Sequence, residues 1–536
     1  MILTEKNYNV LCDGRGLYEE EIIEQILQNR GIDNPEHFFN PTQNDMFPYD
    51  SMENIEKASY LVTHALNINR RIHVMFDTDL DGISSGTIMT RYLKHFTDKV
   101  ETSINEGKAH GLVGQDLSRF NNTYLLIIVD SLDNTIEQYK YLYDKGVEII
   151  ILDHHAINEN IPYDDYVTLV SSQREAYQNK ALSGAGVVWK FCKYLDTEFN
   201  TNYADELADL AVCGLIADMV DMTNMENRYI AYKGLSKINN PAIKKIIGSY
   251  EFNSTAVSFS IAPIVNASNR MFKNEIAMKA FLANENKEVL AYIKELKKCR
   301  EEQNEIVAEC MESAHEQCNK MFDKTMMIVF NDVEYGVNGL IGNKLLEEYQ
   351  RPILVLKDTG DTYSGSMRAI GVDDFRKICN DSGLAQADGH ELASGITIKK
   401  ENFNAFIDYI ETNVHLEPKQ DIDVDIELSV EDITRKLIDE IKKIDYVSGT
   451  NHKQIKVLVK DINMYGIGQM SDYKHLVIKP RDYLLMIKWN FKGSFEEMED
   501  HSLMNDEIQV CGSLDSGFLA RKFVLKLICD DVKVVD

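Results

Sequence analysis

The sequence HVMFDTDLDG, residues 73–82, decides the fold because a short apolar run ends abruptly in acidic residues. Two more runs follow the same plan: YLLIIV (124–129) precedes Asp130, and VEIIIL (147–152) precedes Asp153. Each run is long enough for a buried strand and too short for a helix, and helical patterns at 84–96 and 134–146 separate them. Strands that are apolar on both faces and alternate with helices predict an α/β fold with a doubly wound parallel sheet.

The aspartates after these strands are candidate metal ligands. The carboxyl ends of parallel strands meet at one edge of the sheet, so we expect the acidic groups to converge there. Asp77, Asp79 and Asp81 alternate, and an extended segment would point all three the same way. So many carboxylates raise one another's pKa unless a dication lies among them. Oxygen ligands with one or two imidazoles suit Mn²⁺ or Mg²⁺ better than zinc.

Three further residues extend this prediction. In an extended segment the adjacent His154 and His155 would project in opposite directions, so we expect one to bind metal and the other to face the substrate. Asp218 interrupts an apolar helical run in DLAVCGLIADMVDM (209–222), and a buried Asp is rare unless it is paired or metal-bound. DTDLDG also matches the start of an EF-hand calcium loop, but position 12 of that loop would be Ile88 rather than Glu, which disfavours calcium storage.

Composition limits the class of protein. The 536 residues predict two to four domains, and a net charge of −29 opposes non-specific adsorption to nucleic acid or anionic lipid. Any nucleic-acid contact must therefore be local, through a basic groove or a metal. Nine scattered cysteines form no CxxC pair, which argues against a zinc ribbon or a disulfide framework. No leader-like start and no apolar window of about 18 residues is present, so we expect a cytoplasmic protein with no membrane partner.

Beyond the first sheet the pattern changes three times. Residues 1–70 are helical and acidic, with a helix that ends at Gly31. A charged helical pattern without Gly or Pro runs from about 275 to 322 and predicts a connector. A second α/β pattern begins at TMMIVF (325–330) and runs to about 415. After Pro418, five strand-like runs predict a small β-barrel or sandwich.

These residues resemble motifs I to IV of the DHH phosphoesterase superfamily, in the order Asp79-Leu80-Asp81-Gly82, Asp130, Asp153-His154-His155 and Asp218. The chain resembles the RecJ branch of single-strand-specific exonucleases further, in segments such as LSGAGVVWKF (182–191), APIVNASNRM (262–271), SGSMR (364–368) and GHELASG (389–395). The resemblance implies an N-terminal helical segment plus a DHH catalytic domain at 1–275 and a connector helix at 276–322. It also implies a smaller α/β DHHA1 domain at 323–415 and a β-rich OB-like domain at 416–536.

The resemblance also implies roles for particular residues. Two divalent metals, Mn²⁺ by preference or Mg²⁺, would be held by Asp79, Asp81, Asp130, His154 and Asp218. His155 would lie by the scissile phosphate, with Asp77 and Asp153 as ligands or as groups that orient ligands. Substrate would be bound by Arg270, Ser366, Arg368 and His390. The chain departs from the RecJ pattern at several positions: Ser131 stands where an asparagine is usual, His110 stands where a tyrosine is common, and Asp388 breaks the glycine pair ahead of His390.

The function implied is a metal-dependent exonuclease that degrades single-stranded DNA from the 5′ end to mononucleotides, in recombination, repair or replication. Single-stranded DNA is the expected partner, with a single-strand-binding protein as a second candidate. One alternative is a DHH phosphodiesterase of short oligonucleotides or cyclic dinucleotides. Another is a non-catalytic RecJ relative that serves as a replication scaffold.

Overall fold

A computed structural model describes residues 8–105, 110–333, 336–416, 422–463, 467–470, 474–491, 495–496, 498–499, 507–519 and 522–535. Within these residues no helix combines the length and the apolar character that a membrane crossing requires. The chain begins with β1 (Tyr8–Val10), α1 (Glu19–Asn29), α2 (Pro35–Phe39) and α3 (Ile55–Asn67). Helix α1 stops before Gly31, which adopts a φ of 68°, as the sequence predicts.

The first sheet confirms the predicted parallel α/β fold. Its strands are β2 (Ile72–Phe76), β3 (Val100–Ile104), β4 (Leu125–Val129), β5 (Glu148–Asp153) and β6 (Thr168–Ser171). They are all parallel, in the order β3-β2-β4-β5-β6. The helices that accompany this sheet are α4 (Leu80–Leu93), α5 (Glu137–Tyr143), α6 (Gly184–Phe199), α7 (Ala208–Ala217), α8 (Met225–Leu235) and α9 (Pro241–Ile247). Every residue of β2 and of β4 is buried, which explains their unbroken apolar runs.

The predicted connector is two helices rather than one. After α10 (Ser254–Ala256), a π-helical turn (Val257–Ile261) and α11 (Ala262–Arg270), the chain forms α12 (Asn274–Leu282) and the 33-residue α13 (Asn286–Cys318). The expectation of an uninterrupted helix from 275 is wrong, because Ala283 is extended (ψ 142°). Arg91 of α4 donates hydrogen bonds to the carbonyl oxygens of Phe281 (2.9 Å) and Ala283 (3.1 Å). A tertiary contact therefore satisfies the end of α12, where the local sequence shows no stop signal.

A second sheet and its helices follow the connector. The elements of this region, in chain order, are β7 (Met327–Phe330), α14 (Asn338–Tyr349), β8 (Ile353–Asp358), β9 (Thr362–Arg368), α15 (Phe375–Asp381), β10 (Ala385–Gly389), β11 (Ala393–Lys399) and α16 (Phe403–Asn413). The strand order is β10-β11-β9-β8-β7, with β7 and β8 parallel and the other neighbours antiparallel. The parallel pair and its helices make this a smaller, mixed α/β unit.

The C-terminal region is rich in β-structure, as predicted. Its elements are β12 (Ile422–Val424), β13 (Ile426–Leu428), α17 (Arg435–Asp445), β14 (Val457–Asn463), β15 (Ile467–Met470), β16 (His475–Arg481), β17 (Leu484–Lys488), β18 (Glu507–Leu519) and β19 (Lys522–Val535). Seven of these strands form one sheet, in the order β13-β14-β18-β19-β17-β16-β15. The N-terminal segment joins this region, because β1 pairs in parallel with β12 and Ile26 of α1 packs into the same core as Leu437 of α17.

Candidate metal centre

Two imidazoles and several carboxylates meet beyond the carboxyl ends of β2, β4 and β5. His154 Nε2 lies 3.2 Å from Asp130 Oδ1, 3.1 Å from Asp218 Oδ2 and 3.8 Å from Asp81 Oδ2. His155 Nδ1 lies 3.0 Å from Asp153 Oδ1 and 3.9 Å from Asp130 Oδ1. The structure therefore places these predicted residues of three strand ends and one helix end at a single site.

The carboxylates that follow β2 divide between two clusters instead of pointing one way. Within the described residues, Asp77, Asp79 and Asp130 can each offer an oxygen atom within 4.8 Å of the others. Asp81 instead joins a cluster with His154 and Asp218. The expected common face is wrong because the segment is not extended throughout: Asp79 caps α4 and Asp81 lies in the first helical turn. Two adjacent clusters of ligands are the result.

The two histidines also differ from the sequence expectation. Their ring centroids are 4.5 Å apart, and both rings lie on the side of Asp130. Strand β5 ends at Asp153, so the chain already turns at His154 and no longer alternates its side chains. Either imidazole could therefore reach a metal, and exposure separates them: the His154 side chain is 18% exposed and the His155 side chain is 42% exposed.

Asp218 lies at the end of a helix and not inside it. Helix α7 ends at Ala217, and the Asp218 side chain is 24% exposed, so the expected buried mid-helix carboxylate is corrected to a helix-terminal one. The apolar run that led to this expectation is the buried part of α7. Because Asp218 is only partly buried, it can close the outer side of the Asp81–His154 cluster.

Backbone groups hold the buried carboxylates in place. Asp81 accepts hydrogen bonds from the backbone N–H groups of Gly184 (2.7 Å) and Ala185 (2.8 Å), and Asp153 accepts one from Leu132 (2.8 Å). A Cβ atom on Gly214 would lie 2.0 Å from Asp81 Oδ1. Helix α7 can approach this carboxylate only because position 214 has no side chain.

Asp77 belongs to a network that includes two of the departures from the RecJ pattern, Ser131 and His110. Its Oδ1 accepts hydrogen bonds from Asn105 Nδ2 (3.0 Å) and Ser131 Oγ (3.0 Å), and it lies 3.5 Å from His110 Nδ1. Ser131 Oγ also accepts a hydrogen bond from the backbone N–H of Gly111 (2.9 Å). The serine therefore orients Asp77 and holds the backbone at Gly111, next to His110.

Burial and mutual repulsion perturb these acidic groups. Burial, with repulsion from Asp77 and Asp218, raises the pKa of Asp79 to about 6. Burial first, and then Asp218, raises the pKa of Asp81 well above its ordinary value. The pKa of Asp130 is also raised, by burial and by Asp81. The cluster is therefore unfavourable for bare carboxylates and would be relieved by a cation.

The histidines carry the compensating positive charge. Burial opposes charge on His154, but contacts with Asp130 and Asp218 outweigh it and raise its pKa to about 12. The charge of Asp153 raises the pKa of His155 to about 9. Burial alone would raise the pKa of Asp153, yet the charge and hydrogen bonds of His155 hold it below its ordinary value. Without metal ions, the protonated imidazoles of His154 and His155 therefore supply the positive charge that balances these carboxylates.

The donor set fits divalent metal ions. Asp130 Oδ1 is buried and, among the described residues, makes no hydrogen bond of good geometry, although it faces His154 Nε2. Asp130 belongs to two of the three groups of possible ligands among the described residues, one with Asp77 and Asp79 and one with His154 and His155. Carboxylate oxygens with one or two imidazoles are ligands that suit Mn²⁺ and tolerate Mg²⁺.

Three arginines from different parts of the chain come close together: Arg270 ends α11, Arg300 lies on α13 and Arg368 ends β9. The backbone N–H of Gly336 donates to the Arg270 carbonyl oxygen (2.9 Å), which joins the second sheet's lobe to the end of α11. Burial, with repulsion from Arg300 and Arg368, lowers the pKa of Arg270 to about 10. Within the described residues no carboxylate lies within 4.0 Å of these three guanidinium groups. They form a concentrated positive site in a protein of net charge −29.

Arg300 is the residue that the sequence did not reveal. It lies on α13, in KKCREE, among several lysines with no pattern to distinguish it. Arg300 is partly buried and lies close enough to Arg270 to lower the pKa of that arginine. Burial lowers the pKa of Arg300 and that of Arg368. Arg368 is fixed by hydrogen bonds to Asn343 Oδ1 (2.6 Å) and to the Met367 carbonyl (2.7 Å).

Ser366 and His390 lie beside Arg368 on the second sheet. A Cβ atom on Gly339 would lie 2.5 Å from Arg368 Nη2 and 3.7 Å from Ser366 Oγ, so both side chains face the start of α14. His390 is exposed in the turn between β10 and β11, and its backbone N–H donates to the carbonyl of Ala393, the residue that pairs with Arg368. Ser366 and Arg368 therefore share one face of the second sheet, His390 lies in a turn at its edge, and the roles of these residues and of Arg270 stay predictions.

Three comparisons with known proteins agree with this geometry. The model of the DHH family, N-terminal domain, matches residues 71–215. The chain is 31% identical over 435 residues to the putative SPbeta prophage-derived single-strand DNA-specific exonuclease YorK of Bacillus subtilis, covering 72% of this chain and 73% of that protein. It is 28% identical over 469 residues to the single-stranded-DNA-specific exonuclease RecJ of the same organism, covering 82% of this chain and 58% of RecJ. A crystal structure of RecJ in complex with Mn²⁺ from Thermus thermophilus has a TM-score of 0.80 at 19% identity, covering 99% of this chain and 80% of that one.

Proposed function

This chain belongs to the RecJ family of DHH phosphoesterases, and from that premise we propose that it degrades single-stranded DNA from the 5′ end to mononucleotides. The observation that carries the proposal is the presence, in one chain, of an acidic, imidazole-containing centre and a cluster of three arginines. The first can hold cations and the second can hold phosphates, which is the division of labour that phosphodiester hydrolysis requires.

Within this proposal two divalent ions, Mn²⁺ or Mg²⁺, are held by Asp79, Asp81, Asp130, His154 and Asp218. Asp130 would be within reach of either ion, because it belongs to two of the groups of possible ligands. When bound, the ions neutralise the phosphate and activate a water for attack. Asp77 lies close enough to Asp79 and Asp130 to act as a further ligand, and Asn105 and Ser131 keep its carboxylate in position.

His155 is proposed to contact the scissile phosphate. Its Nδ1 is engaged by Asp153 at 3.0 Å, which leaves Nε2 on the exposed side of the ring free of that pairing. Asp153 also holds the ring through the backbone N–H of His155 at 2.5 Å. A ring fixed in this way can donate a hydrogen bond to a phosphate oxygen as charge develops there, which makes His155 a catalytic residue and Asp153 its positioning residue.

Arg270, Arg368 and Arg300 are proposed to bind the phosphates of the strand, with Ser366 and His390 beside them. Guanidinium groups are suited to bidentate contact with phosphate, and three of them without a nearby carboxylate would be relieved by an anion. The same site explains how a chain of net charge −29 can bind a polyanion, since the positive charge is local. The proposal also includes a cytoplasmic location and recruitment by a single-strand-binding protein.

The test uses one single strand labelled at either end. With Mn²⁺, we expect the 5′-labelled strand to release labelled mononucleotide at once, while the 3′-labelled strand shortens and releases its label last. An Asp130→Asn variant is the matched control and should release neither. Early release of the 3′ label would contradict the polarity. Faster hydrolysis of a cyclic dinucleotide than of the long strand would favour the small-substrate phosphodiesterase.

A further inference from the structure

We infer that Phe259 is a base-stacking residue on the path by which the single strand reaches the metal centre. The inference rests on the proposed function and extends it to a residue on the approach. Phe259 lies in the π-helical turn Val257–Ile261, and its side chain is 75% exposed. A large aromatic side chain left in water in the middle of a helix contributes nothing to the core, and π-helical turns occur frequently at functional sites.

The helix that carries Phe259 connects two parts of the molecule. At its beginning, Ser254 binds the Tyr446 carbonyl (3.2 Å) and Thr255 accepts a hydrogen bond from Gln454, so it starts against the C-terminal region. At its end stands Arg270, whose carbonyl binds Gly336 of the second lobe. The segment from α10 to α11 therefore runs from the β-rich region to the arginine site.

One side of this helix packs into the core of the first lobe, and part of its remaining surface is exposed. Val257, Ile261 and Val265 are buried in the core of the first lobe. Thr255, Ser258 and Phe259 are exposed, and most residues from position 262 to 270 are partly buried. Phe259 is therefore an exposed aromatic residue on a helical segment that ends at the partly buried Arg270.

The charge of this segment suits a polyanion. About one residue in six of the chain is acidic, yet residues 252–274, between Glu251 and Glu275, contain neither Asp nor Glu. The helical part of this segment ends at the arginine site formed by Arg270, Arg300 and Arg368. A nucleic-acid strand matches a segment that has no acidic residue, an exposed aromatic ring and arginines at its end, because bases stack on rings while phosphates pair with guanidinium groups.

The spacing fixes where the base should lie. Eleven residues separate Phe259 from Arg270, which is about 16 Å along a helix. At the stacked rise of roughly 3.4 Å per nucleotide this distance corresponds to about five nucleotides, and a stretched strand needs fewer. Phe259 should therefore contact a base within about five nucleotides of the one held at the arginine site.

The experiment measures release of the first, 5′-labelled nucleotide, so that only the initial binding position counts. For a strand of about 20 thymidines we expect Phe259→Ala to lower kcat/KM by roughly 5- to 100-fold, mostly through KM. A 5′-phosphorylated dinucleotide is too short to reach the ring, so the preference of the enzyme for the long strand should shrink by the same factor. Phe259→Tyr keeps the ring and should restore the preference, whereas Phe259→Leu should not.

Two controls make the result specific. Tyr60 on α3 is 65% exposed and lies by His64 and Tyr124, at the amino end of β4, so Tyr60→Ala should leave the preference unchanged. Placing a single abasic site at successive positions of the strand should reproduce the Phe259→Ala loss at one position, and the two changes together should cost no more than either alone.

The outcomes separate the two proposals. If the wild-type protein releases no nucleotide from single strands, the proposed function fails. If it does, but Phe259→Ala keeps the full preference for the long strand, only the stacking inference is wrong. Equal losses on the dinucleotide and on the long strand would show a structural role for Phe259 and would likewise overturn it.

Discussion

Substituting Gly214 by alanine should break the metal centre while leaving the fold intact. Because a Cβ at this position would lie 2.0 Å from Asp81 Oδ1 and 2.5 Å from Ala185 Cβ, and real contacts keep at least 3.0 Å, about 1 Å of space must open. The Asp81 carboxylate cannot simply rotate away, since both of its oxygens are held by backbone N–H groups of α6. It must move as a unit, and with it one ligand of the cluster that contains His154.

The size of the effect follows from this displacement. A misplacement of about 1 Å in a catalytic site can cost on the order of 10²-fold in turnover. Loss of the support of one ligand typically lowers metal affinity by roughly 10- to 100-fold. The inserted methyl group should also cost about 1–3 kcal/mol of stability through overpacking, which a domain of this size tolerates. Gly214→Ala should therefore fold, bind Mn²⁺ weakly and turn over slowly.

The assay combines Mn²⁺ titration by calorimetry, release of 5′-labelled nucleotide and thermal unfolding. Gly186→Ala is the matched control, because its Cβ would meet the flexible ends of Leu182 (2.5 Å) and Leu215 (3.2 Å) and no carboxylate. It should lower stability to a similar degree and keep both metal affinity and turnover. If Gly214→Ala retains Mn²⁺ affinity and turnover within threefold of wild type, or if Gly186→Ala loses both equally, the reasoning is refuted.

Four other expectations follow from the metal centre and the arginine site. Chelation by EDTA should abolish activity, and Asp130→Ala should lower kcat by on the order of 10³-fold or more. The same substitution should raise the melting temperature of the metal-free protein, because one of several crowded carboxylates is removed. Normal turnover of Asp130→Ala would contradict its assignment as a metal ligand. Mn²⁺ binding should release protons at pH 7.5, because the pKa of His154 is raised to about 12 and the ion would displace its proton. Mn²⁺ affinity should fall as the pH drops through 6, because Asp79 then takes up a proton. Calorimetry in buffers of different ionisation enthalpy measures both effects. In the metal-free protein the raised pKa of Asp79 gives stability that is complete below about pH 4 and lost as the pH rises through 6, which unfolding midpoints across that range would show. Arg368→Ala should weaken strand binding, flatten the salt dependence of that binding by roughly 0.7 in slope and leave Mn²⁺ affinity unchanged. His155→Ala should instead lower turnover with little effect on strand binding. Loss of Mn²⁺ affinity in Arg368→Ala would contradict the separate roles of the arginine site and the metal centre.

The parallel sheet and the position of its acidic edge can be predicted from the sequence. Buried parallel strands are continuous apolar runs, and the direction of the chain brings the residues after β2, β4 and β5 to the same edge. This is why the sequence predicts that Asp79, Asp130 and His154 lie together. Local signals of this kind, such as the stop at Gly31, depend on neighbouring residues and survive in the sequence.

The arrangement of the ligands within the site depends on tertiary contacts. Asp81 is separated from Asp77 because α4 begins between them, and Asp218 is partly exposed because α7 ends before it. The position of Arg300 beside Arg270 depends on how α13 packs against α11. The break before α13 comes from Arg91, about 190 residues away in sequence, and β1 pairs with β12 across more than 400 residues. Contacts between such distant segments are fixed by packing and hydrogen bonding in three dimensions, and a local pattern of residues carries no record of them.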